Sequence, residues 1–183
     1  LQELARQEAA AVVTRAPRRY HGYFALGRAE MSAGNHRAGI AAFREAAVRY
    51  PEFAAAWWNL AVAYALDGQA SLAQAAVRRA RRLDASLAWQ PENVEKLARA
   101  YGEGGATAAA IELYREATAR EPSNAEYFRQ LSYALRDAGQ LPSAREAARR
   151  AIELNPNLRA ELESISSAPK DSQDFSTTVP DPR

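Results

Sequence analysis

The chain contains no cysteine, two histidines, one methionine and only two lysines among its 24 basic residues. Without cysteine there can be no disulfide, no thiolate nucleophile and no Cys-based metal site. Cysteine-free proteins occur in both oxidising and reducing compartments, so localisation is left open. No unbroken apolar stretch reaches membrane-spanning length, which removes the signal for a transmembrane helix. His21 and His36 are well separated in sequence, with no HxxxH or HExxH arrangement, so neither a metal site nor a histidine-centred catalytic site is expected. The run Gly102-Glu103-Gly104-Gly105 lacks the Lys and Ser/Thr of a phosphate loop. Glu92 and Glu95 could form a carboxylate pair for acid–base work. A solvated first helical turn explains them better, because acids favour helix N-termini. The expectation is a protein that is not an enzyme and carries no cofactor.

What is present is mostly alanine and arginine, both good helix formers. The net charge of +2 is unevenly spread. Residues 1–90 carry 12 basic and 7 acidic side chains, residues 91–158 carry 9 and 10, and residues 159–183 carry 3 and 5. The densest cationic run is Arg78, Arg79, Arg81 and Arg82. It has no interleaved aromatics, and it fits the solvated face of a helix better than a nucleic-acid surface.

The informative pattern is a repeat, and a repeat is sought before anything else. Gly34, Gly68, Gly105 and Gly139 recur with a period of roughly 34 residues, the middle interval being the longest. Seven residues before each lies Gly27, Ala61, Ala98 or Ser132, preceded by Leu26, Leu60, Leu97 or Leu131. Five after each comes Gly39, Ala73, Ala110 or Ala144, and twelve after comes Ala46, Ala80, Ala117 or Ala151. Seventeen after stands Pro51, Ala85, Pro122 or Pro156. Each unit therefore reads as two helices split by a glycine turn and stopped by proline. The small residues mark close helix contacts, where a larger side chain would overpack by about 1–3 kcal/mol. Tyr23, Trp57, Val94 and Phe128 are the large knobs of the first helices, and Phe43, Val77 and Tyr114 those of the second, with Ala148 a weak match.

Trp57, Leu60, Ala61, Tyr64, Gly68, Ala73, Val77 and Ala80 closely resemble the tetratricopeptide repeat family. The resemblance covers four units, 20–53, 54–87, 91–124 and 125–158, with residues 88–90 inserted. Departures are Glu30 and Leu135 for an aromatic, Val94 for the first-helix aromatic, and Ala85 for the terminal proline. It implies an all-α fold, a right-handed α-solenoid of tetratricopeptide helix-turn-helix repeats. Ala5, Ala9, Val12 and Pro17 continue the frame backward, so residues 1–19 read as the second helix of a truncated preceding repeat, or as a terminal helix that happens to be in register. Leu158, Leu162 and Ile165 keep helical spacing over 159–166 and suit a short cap, as solenoid ends require. Residues 167–183 turn to Ser, Thr, Asp and Pro and are expected to be disordered.

Solenoids present an extended binding face, and the resemblance implies that unit positions 2, 5, 9 and 12 of each first helix line it. The stripe reads His21, Phe24, Arg28, Met31; Ala55, Trp58, Val62, Ala65; Glu92, Glu95, Arg99, Gly102; and Glu126, Arg129, Tyr133, Arg136. The expected peptide-binding groove is therefore split: its first half is apolar and aromatic around Phe24, Met31, Trp58 and Val62, with Arg28 among them, and its second half offers Arg99, Arg129, Arg136 and Tyr133. Trp and Arg are common anchors of interfaces. On the same resemblance Trp57 is the buried knob and Trp58 points into the groove, the alternative being that Trp58 packs on a neighbouring helix or on Trp89. A carboxylate clamp of the kind some family members use is not expected: its positions hold Phe24, Arg28, Asn59, Glu92 and Lys96, of which only Asn59 matches, and Glu92 would repel a carboxylate.

Function is therefore expected to be a protein–protein interaction scaffold that binds a peptide segment, apolar followed by acidic. The alternative is a structural segment of a larger bacterial secretion or envelope-polysaccharide machine, able to associate with itself. A third reading places the chain's own Asp171, Asp174 and Phe175 in the arginine-lined half of the groove. Protein or peptide partners are expected, with no nucleic acid and no membrane insertion.

Overall fold

The computed structural model of the chain describes residues 2–167. The fold is an all-α solenoid of repeated helix pairs, with the order α1 (Gln2–Arg15), α2 (Tyr20–Ser32), α3 (His36–Arg49), α4 (Ala54–Leu66), α5 (Ala70–Leu83), α6 (Ala85–Ala88), α7 (Pro91–Glu103), α8 (Thr107–Arg120), α9 (Ala125–Asp137), α10 (Leu141–Leu154) and α11 (Arg159–Ser166). A 3₁₀ turn, Pro156–Leu158, joins the last two. Two compact units are distinguishable, Leu1–Arg120 and Glu121–Arg183. The expectation for the tail lies, from residue 168 onward, outside the described residues.

The glycine column sets the turns. Gly34, Gly68, Gly105 and Gly139 have φ of 79°, 74°, 78° and 73°. Side-chain-bearing residues avoid that region. In each turn the amide after the glycine donates back five residues: Asn35 to Glu30, Gln69 to Tyr64, Ala106 to Tyr101 and Gln140 to Leu135, at 2.7–2.9 Å. The glycine amide itself donates three residues back, to Met31, Ala65, Gly102 and Arg136. This paired pattern satisfies the last carbonyls of each first helix. It also turns the chain sharply enough for the second helix to pack against the first.

The small columns let the helices touch. Ala46, Ala80, Ala117 and Ala151 are fully buried, as are Ala73 and Ala144, with Ala110 close behind. Phe43, Val94, Leu97 and Ile111 fill the N-terminal unit, while Leu135, Leu162 and Ser132 fill the C-terminal one. In the latter, α11 packs on α10 through Leu162 and Ile165. In the former, Gly104 comes so close to α4 that a Cβ there would stand 1.9 Å from the Ala65 carbonyl oxygen.

The end of the second unit and the insertion build structure of their own. The Asp84 carboxylate accepts from the Ser86 hydroxyl at 2.7 Å. It also accepts from the Leu87 amide at 3.0 Å, and so caps α6. Those two contacts hold its carboxyl below the usual carboxylate range. The short helix touches α4, α5 and α7. Trp89 follows it, with the guanidinium of Arg81 4.3 Å from its ring and that of Arg120 4.6 Å away.

The two adjacent tryptophans are placed the other way round from the expectation. Trp58 is 2% exposed, whereas Trp57 is only half-buried and donates its indole N–H to the Pro51 carbonyl at 2.9 Å. The cause is the composition of α4, AAAWWNLAVAYAL, which has no charged residue on any face. A helix apolar all round is buried all round, and α4 is flanked by α2, α3, α5, α6 and α7.

Candidate functional site: two faces of the N-terminal unit

Of the stripe expected to line a groove, the apolar members are packed into the protein. Trp58 and Val62 are 2% and 3% exposed, so neither lines an open surface. Phe24 is half-buried against Phe43 (5.7 Å between centroids) and Phe53 (4.9 Å). Met31 lies over α3, its sulfur 2.5 Å from where a Cβ on Gly39 would be. Of the apolar half of the expected groove, Trp58 and Val62 are therefore core, and Phe24 and Met31 are half-buried. Burying these side chains stabilises the unit more than leaving them in water, at roughly 25 cal/mol per Å² of apolar surface.

The cationic members divide between the units. Within the C-terminal unit, Arg129 bridges Glu126 (2.5 Å) and Glu161 of α11 (2.6 Å), and the Tyr133 hydroxyl donates to the same Glu161. Contacts from Tyr133 and Arg129 lower the Glu161 carboxyl. Burial works against ionised Glu126, yet its bonds from Arg129 and Gln130 lower that carboxyl too. The two acids raise Arg129 further, Glu126 foremost. Burial, and the contact with Glu161, raise the Tyr133 phenol. Arg136 binds Asp137 (2.7 Å) and lies 5.1 Å from the Tyr133 ring. These arginines are already neutralised by acids of their own unit.

The N-terminal unit differs. Arg28 on α2 and Arg99 on α7 are exposed, and Lys96 of α7 lies within the field of both. Burial, then the charges of Arg28 and Arg99, hold the Lys96 ammonium below the usual lysine range. Among the described residues, neither Arg28 nor Lys96 has an ion-pair partner, and Arg99 has only a loose contact to Glu103 at 3.8 Å. Glu92 stands four residues before Lys96 without pairing to it.

The second-helix layer of the same unit holds two clefts at equivalent repeat positions. One, between α5 and α8 over α7, has a volume of about 200 Å³ and charged side chains along it. Arg81 bridges Glu116 across it at 2.9 Å. Beneath lies Tyr101, 3% exposed, its phenol pushed up to about 12 by burial. The other, between α3 and α5 over α4, has a volume of about 550 Å³. It is lined by Val48, Pro51, Trp57 and Leu72, together with alanines 47, 75 and 76. Val48 is 73% exposed and Leu72 47%.

The family model described as Tetratricopeptide repeat matches residues 24–88 and 95–158. The chain belongs to the tetratricopeptide repeat family. No curated protein matches it in sequence. Among solved structures, MamA is similar at 21% identity with a TM-score of 0.66, over 92% of this chain and 89% of that one. MamA from Desulfovibrio magneticus RS-1 gives 16% and 0.65, over 85% and 86%. YrrB gives 16% and 0.63, over 89% and 82%. At these identities the likeness is one of fold.

Sequence reasoning located Arg28 and Arg99 on the first-helix face of this tetratricopeptide chain, and it met Lys96 only as a mismatched clamp position. It passed over the α3–α5 cleft entirely. A signal was there: Val48 and Leu72 stand where the α5–α8 pair has Arg82 and Ala109. Among the described residues, no group of three or more His, Asp or Glu is placed to hold a metal ion, and no helix is long and apolar enough to cross a membrane.

Proposed function

We propose that this tetratricopeptide chain is a protein-interaction scaffold whose N-terminal unit binds an acidic peptide segment on its first-helix face. The observation that carries this reading is that Arg28, Lys96 and Arg99 are exposed on first helices and, among the described residues, Arg28 and Lys96 have no ion-pair partner and Arg99 only a loose one; the charges of Arg28 and Arg99 are felt at Lys96. Like charges brought together raise the energy of the free protein, and a bound anionic group relieves that repulsion. Glu92, one turn before Lys96, bounds the patch and limits the acidic stretch to a few residues. The family resemblance points to a protein or peptide as the partner, and YrrB is described as having an unusual peptide-binding site. In the C-terminal unit, Arg129 and Tyr133 already hold Glu161, an internal acid of the kind this reading assigns to the ligand.

Such contacts are typically of roughly micromolar strength. Charge reversal at Arg28→Glu with Lys96→Glu should weaken binding of a fluorescein-labelled acidic peptide by about tenfold or more, read by fluorescence anisotropy at low salt. Helical circular dichroism should be unchanged, because both side chains are exposed. Equal binding by the double variant would remove the assignment.

A further inference from the structure

The cleft between α3 and α5 has no role in the reading above, and it lies on the second-helix layer. Its two banks are helical ridges: residues 44, 47 and 48 of α3 and residues 72, 75 and 76 of α5, with Trp57, Leu60 and Tyr64 of α4 between them. Spacings of three and four give each bank a continuous edge. Large apolar side chains are usually withdrawn from water, yet Val48 and Leu72 face each other's bank with most or half of their surface open. The neighbouring cleft shows that the repeat does not require this. There the same layer carries Arg81 and Glu116, and their ion pair closes the gap.

The rim of the open cleft is cationic. Arg44 lines it, and the Arg79 guanidinium reaches the Pro51 carbonyl at 3.4 Å. Among the described residues neither has an ion-pair partner, whereas Glu45 is engaged by Arg49. Glu52, beside Pro51, is an exposed acid at one end. An apolar floor between two helical ridges fits a third helix packed ridge into groove. Unpaired arginines on the rim favour acids on the flanks of that helix.

We infer that the α3–α5 cleft is a second docking site, and that its occupant is an amphipathic helix of a partner protein, aliphatic on the face it inserts and acidic on its flanks. A lipid surface fits less well. The apolar floor at Trp57, Leu60 and Tyr64 lies between two helices, and the indole N–H of Trp57 is already used by Pro51.

The probe is a designed amphipathic peptide with leucines at helical spacing and glutamates on both flanks, compared with the same peptide flanked by lysines. The full chain should bind the glutamate version about tenfold more tightly. The double variant Val48→Glu, Leu72→Glu should lose about tenfold in affinity. Both side chains are exposed, so circular dichroism should be unaltered. With Arg28→Glu and Lys96→Glu already in place, adding Val48→Glu and Leu72→Glu should still cost about tenfold in affinity for this peptide, which separates failure here from failure of the first-helix reading. Three results would each overturn the inference. The double variant could bind as the parent does. The chain alone could associate in sedimentation and become monomeric in the variant, making a second copy the occupant. Or phosphatidylserine vesicles, and not the peptide, could be held in a Val48-dependent way.

Discussion

The two clefts of the second-helix layer occupy the same repeat positions and have opposite character. In one, Arg81 and Glu116 reach across, and Trp89 from the insertion stacks on Arg81. In the other the equivalent positions are Ala47 and Arg79, and no ion pair spans the cleft. The helix beneath differs too: α7 carries four charged residues from Glu92 to Arg99, α4 carries none. The repeat frame thus sets where helices meet and leaves the banks of each cleft free to vary. Differences at those free positions are where binding properties can differ between repeats.

Breaking the support under each cleft gives the widest contrast. Trp58→Ala should cost about 3–5 kcal/mol in chemical denaturation, because a buried indole leaves a large cavity. Its counterpart in the repeat frame of α7 is Glu95, which is exposed. Glu95→Ala should stay within about 0.5 kcal/mol. Next in size is the place where the two supports touch. Gly104→Ala should cost about 1–3 kcal/mol by overpacking, since its Cβ would run into the Ala65 backbone. A loss of less than about 0.5 kcal/mol, the range of an ordinary surface change, would mean that α4 and α7 separate easily.

Arg81→Ala removes both the bridge to Glu116 and the stack on Trp89, and it should cost about 1–2 kcal/mol. Val48→Glu, on the open cleft, should change stability by less than about 0.5 kcal/mol. The sharpest version converts one cleft into the other. Ala47→Arg with Arg79→Glu rebuilds the bridging pair at the α3–α5 positions. Stability should rise by at most about 1 kcal/mol, with the gain lost in high salt. Binding of the glutamate-flanked peptide should fall together with it.

Much of this was legible in the sequence, and the reasons are local. Only glycine tolerates the backbone of the four turns, so Gly34, Gly68, Gly105 and Gly139 announce themselves. Only small side chains fit where helices touch, so Ala46, Ala80, Ala117 and Ala151 do the same. The order of Trp57 and Trp58 was not legible, because periodicity separates an inner from an outer face only when one face is polar. In α4 no face is. Likewise the engagement of Arg129 by Glu161 joins residues far apart in the chain, through a helix that spacing identified only as a cap. The insertion was visible as three extra residues. That it would become a capped helix with a stacked tryptophan depended on Asp84 and on arginines from two other helices.

The placement of the three indoles has an optical consequence. Trp58 sits in an apolar interior with its Nε1 unpartnered, Trp57 lines the open cleft, and Trp89 lies against two guanidinium groups. Emission from the first should be blue-shifted, that from the second should respond to whatever enters the cleft, and that from the third should follow the loosening of the insertion. Single-tryptophan versions of the chain would carry their own reporters for core, docking and repeat junction, with no dye attached.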